Sequence, residues 1–276
     1  MNLFDLVRKG EWTVDKFIEL ISNMAEDLNG DGKYTEGDLL TFVGENVPLG
    51  TWQTAMDLKL VEKNAEGGYT VIGLNERFID AYEKLAVYHK NTDGVLRYGS
   101  IDDQSFRSMH GFANSSVATM CNFIYATEHI RDMEDDYGII PIPKYDQEQA
   151  NYITQLGTST SAIAIPNTNK NPELTSKVME ALAYFGRTEV TPKYYEVALK
   201  TKYASDENVQ EMLDLIRDTA TIDFMFVFTS AISSAPNRYF RFTEILSNLT
   251  SKFKADEKVY KTRVAQMVEA FEKLDS

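Results

Sequence analysis

Thr13-Val14-Asp15-Lys16-Phe17-Ile18-Glu19-Leu20-Ile21-Ser22-Asn23-Met24-Ala25-Glu26-Asp27-Leu28 is the stretch from which the fold class is first read. Val14, Phe17, Ile18, Ile21, Met24, Ala25 and Leu28 recur at spacings of three and four, so one face of a helix is apolar and the remainder polar. Thr13 stands where an N-cap belongs, and Asp15 suits the positive end of the helix dipole. The same period returns further along. Asn75 to Lys90 places Phe78, Ala81, Tyr82, Leu85 and Tyr88 on one face. Asn171-Pro172 is a cap followed by proline at the first helical position. The helix it opens is expected to bury Leu174, Val178, Ala181, Leu182 and Phe185 and to end at Gly186.

Three more helices are expected. One is capped by Ser205 and carries Val209, Met212, Leu213 and Ile216. Another opens at Pro236 with Tyr239, Phe242, Ile245, Leu246 and Leu249. The last runs from about Asp256 to Leu274. Strand signals are short. Tyr137-Gly138-Ile139-Ile140-Pro141-Ile142-Pro143 reads as an extended segment leaving a sheet or as an edge strand, since proline cannot donate to a ladder. Ser161 to Pro166 reads as a second short strand, and Tyr69 to Leu74 as a hairpin arm after Glu66-Gly67-Gly68. Residues 146–161 are polar and read as a crossing loop. The class is α/β and helix-rich.

One segment carries a sharp chemical pattern. In Asp27-Leu28-Asn29-Gly30-Asp31-Gly32-Lys33-Tyr34-Thr35-Glu36-Gly37-Asp38, oxygen side chains fall at the first, third, fifth and last positions of a calcium loop. Glycine sits where such a loop turns sharply. Ca2+ takes hard oxygen ligands, so Asp27, Asn29 and Asp31 by side chain, Lys33 by carbonyl and Asp38 by carboxylate form the expected set, with Thr35 acting through water. Asp38 is shorter than the usual glutamate there. The ion's role would be structural, pinning the exit of the first helix. Asn-Gly-Asp-Gly is also good turn chemistry, so an empty polar turn is the alternative.

Composition narrows the function. The chain has 276 residues, 28 basic and 42 acidic, for a net charge of −14 and a pI near 4.7. Such a chain is a poor match for nucleic-acid phosphates or anionic lipid. No apolar run approaches the roughly 20 residues that span a bilayer. The opening residues, Met1 to Trp12, lack a charged region leading into an apolar one and do not read as a signal peptide. A single cysteine, Cys121, allows no internal disulfide. No serine-hydrolase elbow, zinc-protease helix motif or glycine-rich phosphate loop is present. His89, His110 and His129 sit on separate segments, without ligand spacing.

What remains is a large stock of aromatics, 15 Tyr, 15 Phe and 2 Trp. Flat rings stack on the apolar faces of sugars while amides and carboxylates take the hydroxyls. Trp52, near Glu45 and Asn46, and Tyr125 suit that role, although each also suits a core. Trp12, beside the first cap, reads as a structural plug.

Gly10-Glu11-Trp12-Thr13-Val14-Asp15-Lys16-Phe17, followed by Asp27 to Gly32, resembles the middle of bacterial extracellular solute-binding proteins of carbohydrate ABC importers. The resemblance continues, in order, through Val71 to Phe78, Phe112 to Met120, Tyr137 to Lys144, Ile163 to Pro166 and Asn169 to Glu173. It implies a type II periplasmic-binding fold, two α/β lobes that close on a ligand. By it, residues 1–150 and 225–276 form the second lobe. Residues 151–224 form a crossover whose helices would pack on a first lobe not present in this chain, leaving an apolar patch that favours self-association.

The resemblance further implies a non-catalytic capture protein rather than an enzyme. Glu45, Asn46, Trp52, Asn122 and Tyr125 would face the ligand, and Phe226 and Phe228 would stand at the hinge. The ligand would be an oligosaccharide or other small solute and the partners ABC permease subunits. The location would be extracellular or periplasmic, with a lipid anchor in a longer precursor. A secreted carbohydrate-active hydrolase using a carboxylate pair, and a calcium-dependent interaction module, remain as alternatives on the residues alone.

Overall fold

A computed structural model describes residues 2–35, 37–45, 49–98, 104–157, 163–194, 206–232, 239–240 and 247–274. The chain is mixed α/β and helix-rich. It begins with α1 (Leu3–Arg8) and α2 (Val14–Ile21), then β1 (Leu40–Glu45), α3 (Trp52–Ala55), the hairpin β2 (Val61–Lys63) and β3 (Tyr69–Val71), and α4 (Glu76–Asn91). Next come β4 (Val95–Tyr98), α5 (Gln104–Ala113), β5 (Val117–Cys121), α6 (Ala126–His129) and β6 (Thr154–Gln155). Then follow α7 (Pro172–Phe185), continued by a π-helical turn (Gly186–Val190) and a last helical turn (Thr191–Lys193). After these stand α8 (Glu207–Asp218), β7 (Ala220–Thr221), α9 (Phe224–Val227) and α10 (Leu249–Glu272).

The organising sheet is parallel and three-stranded, in the order β4-β1-β5. Phe42 pairs with Val95 on one side and with Thr119 on the other, and Gly44 pairs with Cys121. Leu40 to Gly44 are buried at every position, as expected of a central parallel strand covered on both faces. Phe42 joins the main core, where Phe17 and Trp52 meet it edge-on at ring-centroid distances of 5.5 and 6.4 Å and Tyr88 lies tilted to it at 6.3 Å. Val43 belongs to a smaller cluster with Leu40, Val117 and Phe112.

Two glycines are set by contacts around this strand. A Cβ on Gly44 would stand 2.7 Å from Leu49 Cδ2, so the chain can fold back over the end of β1 because no side chain is there. Gly94, with φ +69°, would bring a Cβ to 2.6 Å from Ala25 Cβ. Both the backbone angle and the close approach select glycine at that position.

The helix from Thr13 is shorter than its stripe. Thr13 Oγ1 accepts from Lys16 N–H as expected, but α2 ends at Ile21. Ser22 Oγ donates to the Ile18 carbonyl there, an alternative partner for helical backbone. The chain then turns so that Glu26 and Leu39 exchange two backbone hydrogen bonds of 2.9 and 3.0 Å. Met24 and Leu28, expected on the buried face, are therefore exposed.

Tyr137 to Pro143 joins no ladder. Trp12 Nε1 donates to the Pro141 carbonyl at 2.9 Å, and Thr13 bridges Lys144. Trp12 is buried in the core, in keeping with its expected structural role. Gln149 fastens the following loop. Its amide donates to Ala55 O and Asn151 O, while its oxygen accepts from Arg77 and from Tyr145 N–H. Ile163 to Pro166 forms no strand, and the expected Ser161 start and Ser205 cap lie outside the described residues; Asp206 caps α8 instead. The helix expected from Pro236 falls largely outside the described residues, but Tyr239 and Phe240 are buried against Phe78. Helix α10 starts at Leu249, earlier than expected, and buries Leu249, Phe253, Tyr260 and Val264, whereas Phe271 and Leu274 are exposed.

The helix at Asn171 departs most from its sequence reading. Asn171 caps it and Pro172 opens it, but Gly186 does not stop it. No residue from Pro172 to Lys193 is buried, so the five side chains expected in a core face outward. Helix α8 behaves differently: Val209, Met212 and Leu213 are 3, 1 and 0% exposed and pack on the body formed by the first 150 residues.

Candidate functional site at the carboxyl ends of the parallel strands

From β1 the chain travels to one side to form β4, then crosses to the other side to form β5. The boundary between β1 and β5 is thus the place where the connections diverge. Crevices in open α/β sheets form there, outside the carboxyl ends of the strands. β1 ends at Glu45 and β5 at Cys121, and the pairing of Gly44 with Cys121 puts Glu45 level with Asn122. Two groups of residues 77 positions apart in sequence therefore meet at one sheet edge. Asn46 and the side chain of Glu45 lie outside the described residues.

The β5 side of this edge is aromatic. Phe123 and Tyr125 stack with ring centroids 6.0 Å apart and planes inclined by 25°. His129, one helical turn further on, stands edge-on to Tyr125 at 5.9 Å. Phe123 lies against the backbone of Gly157, where a Cβ would come to 3.4 Å of its ring. Its position is braced from behind, while Tyr125 keeps 43% of its surface exposed. Asn122 is half-buried and its Oδ1 accepts from Phe123 N–H at 2.8 Å. The arrangement offers a ring face, an amide and an imidazole to a polar ligand with apolar faces.

Three expected ligand contacts are placed elsewhere. Trp52 is 4% exposed; its ring packs on Phe17 and Phe42, and its Nε1 donates to Cys121 Sγ at 3.2 Å. It supports the end of β5 from inside and has no free face for a ligand. Phe226 is buried in the core at 3% exposure. Phe228 belongs to an aromatic line with Phe224 and Phe271, at 4.9 and 5.7 Å, and Phe224 in turn stacks on Tyr69 of the β2–β3 hairpin at 3.8 Å. Packing claims these rings because α9 is four residues long and almost wholly apolar. Phe123 and His129 were not singled out by sequence. The spacing of Tyr125 and His129, one helical turn, was the available signal.

In the loop of Asp27 to Asp38, the acidic oxygens serve the backbone. Asp27 accepts from Gly30 and Gly32 N–H at 2.7 and 2.8 Å, Asn29 from Asp31, and Asp31 from Lys33. Asp38 is 1% exposed and accepts from Leu28 N–H, Thr35 N–H and Thr35 Oγ1. The Thr35 amide, then Leu28, hold its carboxyl below the ordinary aspartate value against the cost of burial. Among the described residues no group of three His, Cys, Asp or Glu side chains is gathered as a metal cluster. The donors are nonetheless the hard oxygens Ca2+ takes, and an oxygen accepting one N–H retains lone pairs for a cation.

No protein family matches the chain, and no curated protein or solved structure is significantly similar to it. Among the described residues no helix is long and apolar enough to cross a membrane.

Proposed function

We propose that this chain captures a carbohydrate or similar polyhydroxylated solute for an ABC importer, without catalysing its conversion. The observation that carries the reading is the meeting of Glu45 and Asn122 at adjacent strand ends of a β4-β1-β5 parallel sheet, beside the Phe123–Tyr125 stack. A sugar ring laid on Tyr125 would cover its exposed face, and the Asn122 amide would take a hydroxyl. In this reading Trp52 and Phe123 position the edge and touch no ligand. A closing second wall would add contacts and shift the population toward the closed state. The partners are permease subunits, and the work is done outside the cytoplasm on a lipid-anchored form.

The same reading gives the loop of Asp27, Asn29, Asp31, Lys33 and Asp38 a structural Ca2+, which would offset the charge of its three carboxylates. Asp38 closes the loop through Leu28 and Thr35 and would be the last carboxylate of the set that holds the ion. Calcium added to chelator-stripped protein is expected to raise Tm, and Asp31→Ala to abolish the increase. No increase in the unaltered protein removes the ion from the account.

A thermal-shift screen against mono- and oligosaccharides tests capture. At least one sugar is expected to raise Tm for the unaltered chain and not for Tyr125→Ala. Cleavage of a sugar in the same screen would favour a hydrolase instead.

A further inference from the structure

Asn29, in the loop between α2 and β1, is the only asparagine of the chain that precedes a glycine. Both Asn29 and Gly30 are exposed, and a Cβ on Gly30 would meet nothing within 4 Å. With no side chain of its own and open surroundings, Gly30 leaves its nitrogen accessible to the Asn29 carboxamide, which the covalent chain already holds close.

The hydrogen bonds of the loop give each reacting atom a role. Gly30 N–H donates to Asp27 Oδ1 at 2.7 Å, so the attacking nitrogen faces a proton acceptor. Asn29 Oδ1 accepts from Asp31 N–H at 2.8 Å, so charge that builds on this oxygen meets a fixed donor. The Asn29 amide nitrogen makes no hydrogen bond among the described residues, and nothing there restrains it from leaving. Asn64 shows what this set adds. Its Oδ1 also accepts a backbone N–H two residues on, from Glu66 at 3.1 Å, but Ala65 follows it and no carboxylate receives the Ala65 N–H among the described residues. Asn23 is exposed as well and is followed by Met24.

We infer that Asn29–Gly30 is a self-modifying site, at which the folded loop promotes conversion of the asparagine to aspartate and isoaspartate through a succinimide. The bond from Gly30 N to Asn29 Cγ forms as the Gly30 proton passes to Asp27. The bond from Cγ to Nδ2 breaks as Asp27 returns that proton to the departing nitrogen, which leaves as ammonia. Asp27 ends as it began. Water then adds to one or the other carbonyl of the ring, opening it to aspartate or isoaspartate. Either product places a new carboxylate between Asp27 and Asp31, and the isoaspartyl form routes the main chain through the former side chain. This chemistry is independent of the capture reading and of the ion.

The full chain, aged at neutral pH in the presence of a chelator and then digested with trypsin, tests it. Asn23 and Asn29 share the peptide Phe17–Lys33, and Asn64 begins the peptide that ends at Arg77. Fragment mass spectrometry is expected to show Asn29 converting at least about 10-fold faster than Asn23 or Asn64. Conversion should also be faster in the folded chain than in the same peptide excised before ageing. Asp27→Asn keeps an oxygen for Gly30 N–H but loses the proton acceptor, and should slow Asn29 about 10-fold or more. Asp27→Glu, which retains a carboxylate, should lose less, and Asp31→Ala, which leaves the backbone donor in place, should change little. Asn29 converting no faster than Asn23 and Asn64, or more slowly in the fold than in the free peptide, overturns the inference. An unchanged rate in Asp27→Asn overturns the role of Asp27.

Discussion

Helices α7 and α8 come from the same stretch of chain and share their design, but not their fate. Each has a side-chain N-cap, Asn171 or Asp206, and each carries an apolar stripe at helical spacing. Helix α8 buries Val209, Met212 and Leu213, and its polar flank reaches the body, where Arg8 bonds Glu211 at 2.6 Å and Asn208. Helix α7 buries nothing, and Lys177 and Glu173 at its start bond each other at 2.6 Å. The difference teaches that periodicity specifies a face, while the presence of something to cover that face is a property of the tertiary structure.

The contrast can be broken most severely at the stripes themselves. Leu213→Ala should destabilise the protein by about 2–5 kcal/mol, the cost of a cavity at a fully buried leucine. Leu182→Ala should change monomer stability by no more than about 0.5 kcal/mol. Denaturant melts at low protein concentration compare the two directly, and equal losses would mean that α7 is packed after all. Gly94→Ala tests the body on which α8 rests. It sets a Cβ against Ala25 and strains a positive φ, and should cost about 1–3 kcal/mol by the same melts.

The caps sharpen the comparison at smaller scale. Asp206→Ala should lower global stability by about 1 kcal/mol, because α8 unfolds with the core. Asn171→Ala should leave the global transition in place and speed amide exchange within Pro172–Phe185 alone. Asp38 provides the control in the loop from Asp27 to Asp38. Its folded carboxyl is held below the ordinary aspartate value, so its contribution is present above that value and lost as pH falls through the folded one. Asp38→Asn should lower Tm at neutral pH and flatten the acid limb of the stability profile between those two values.

Much of the helical frame was legible. Asn75 and the stripe from Phe78 to Tyr88 announce α4 because a long amphipathic helix against a core carries its own period and cap. The end of α2 was not, since the bridge between Glu26 and Leu39 joins residues that no local pattern relates. β1 was hidden for another reason: Leu40-Thr41-Phe42-Val43-Gly44 is buried on both faces and so shows no alternation. The site inherits this limit. Asn122 and Tyr125 were visible as candidates, but Glu45 becomes their neighbour through the β1–β5 pairing. An aromatic in a polar loop gives no sign in the sequence that Phe17 and Phe42 enclose it, so Trp52 reads as a ligand contact and is not one in the fold.

The central claim is that the carboxyl edge of the β4-β1-β5 sheet receives the solute. Amide chemical-shift mapping of the full chain, with a sugar present at about 10 mM to saturate even a Kd of about 1 mM, reads that edge directly. Shifts concentrated at Gly44–Glu45 and Cys121–Tyr125, and abolished by Tyr125→Ala, are the predicted result. A panel of sugars that leaves those amides unmoved, or moves a different surface, would contradict it.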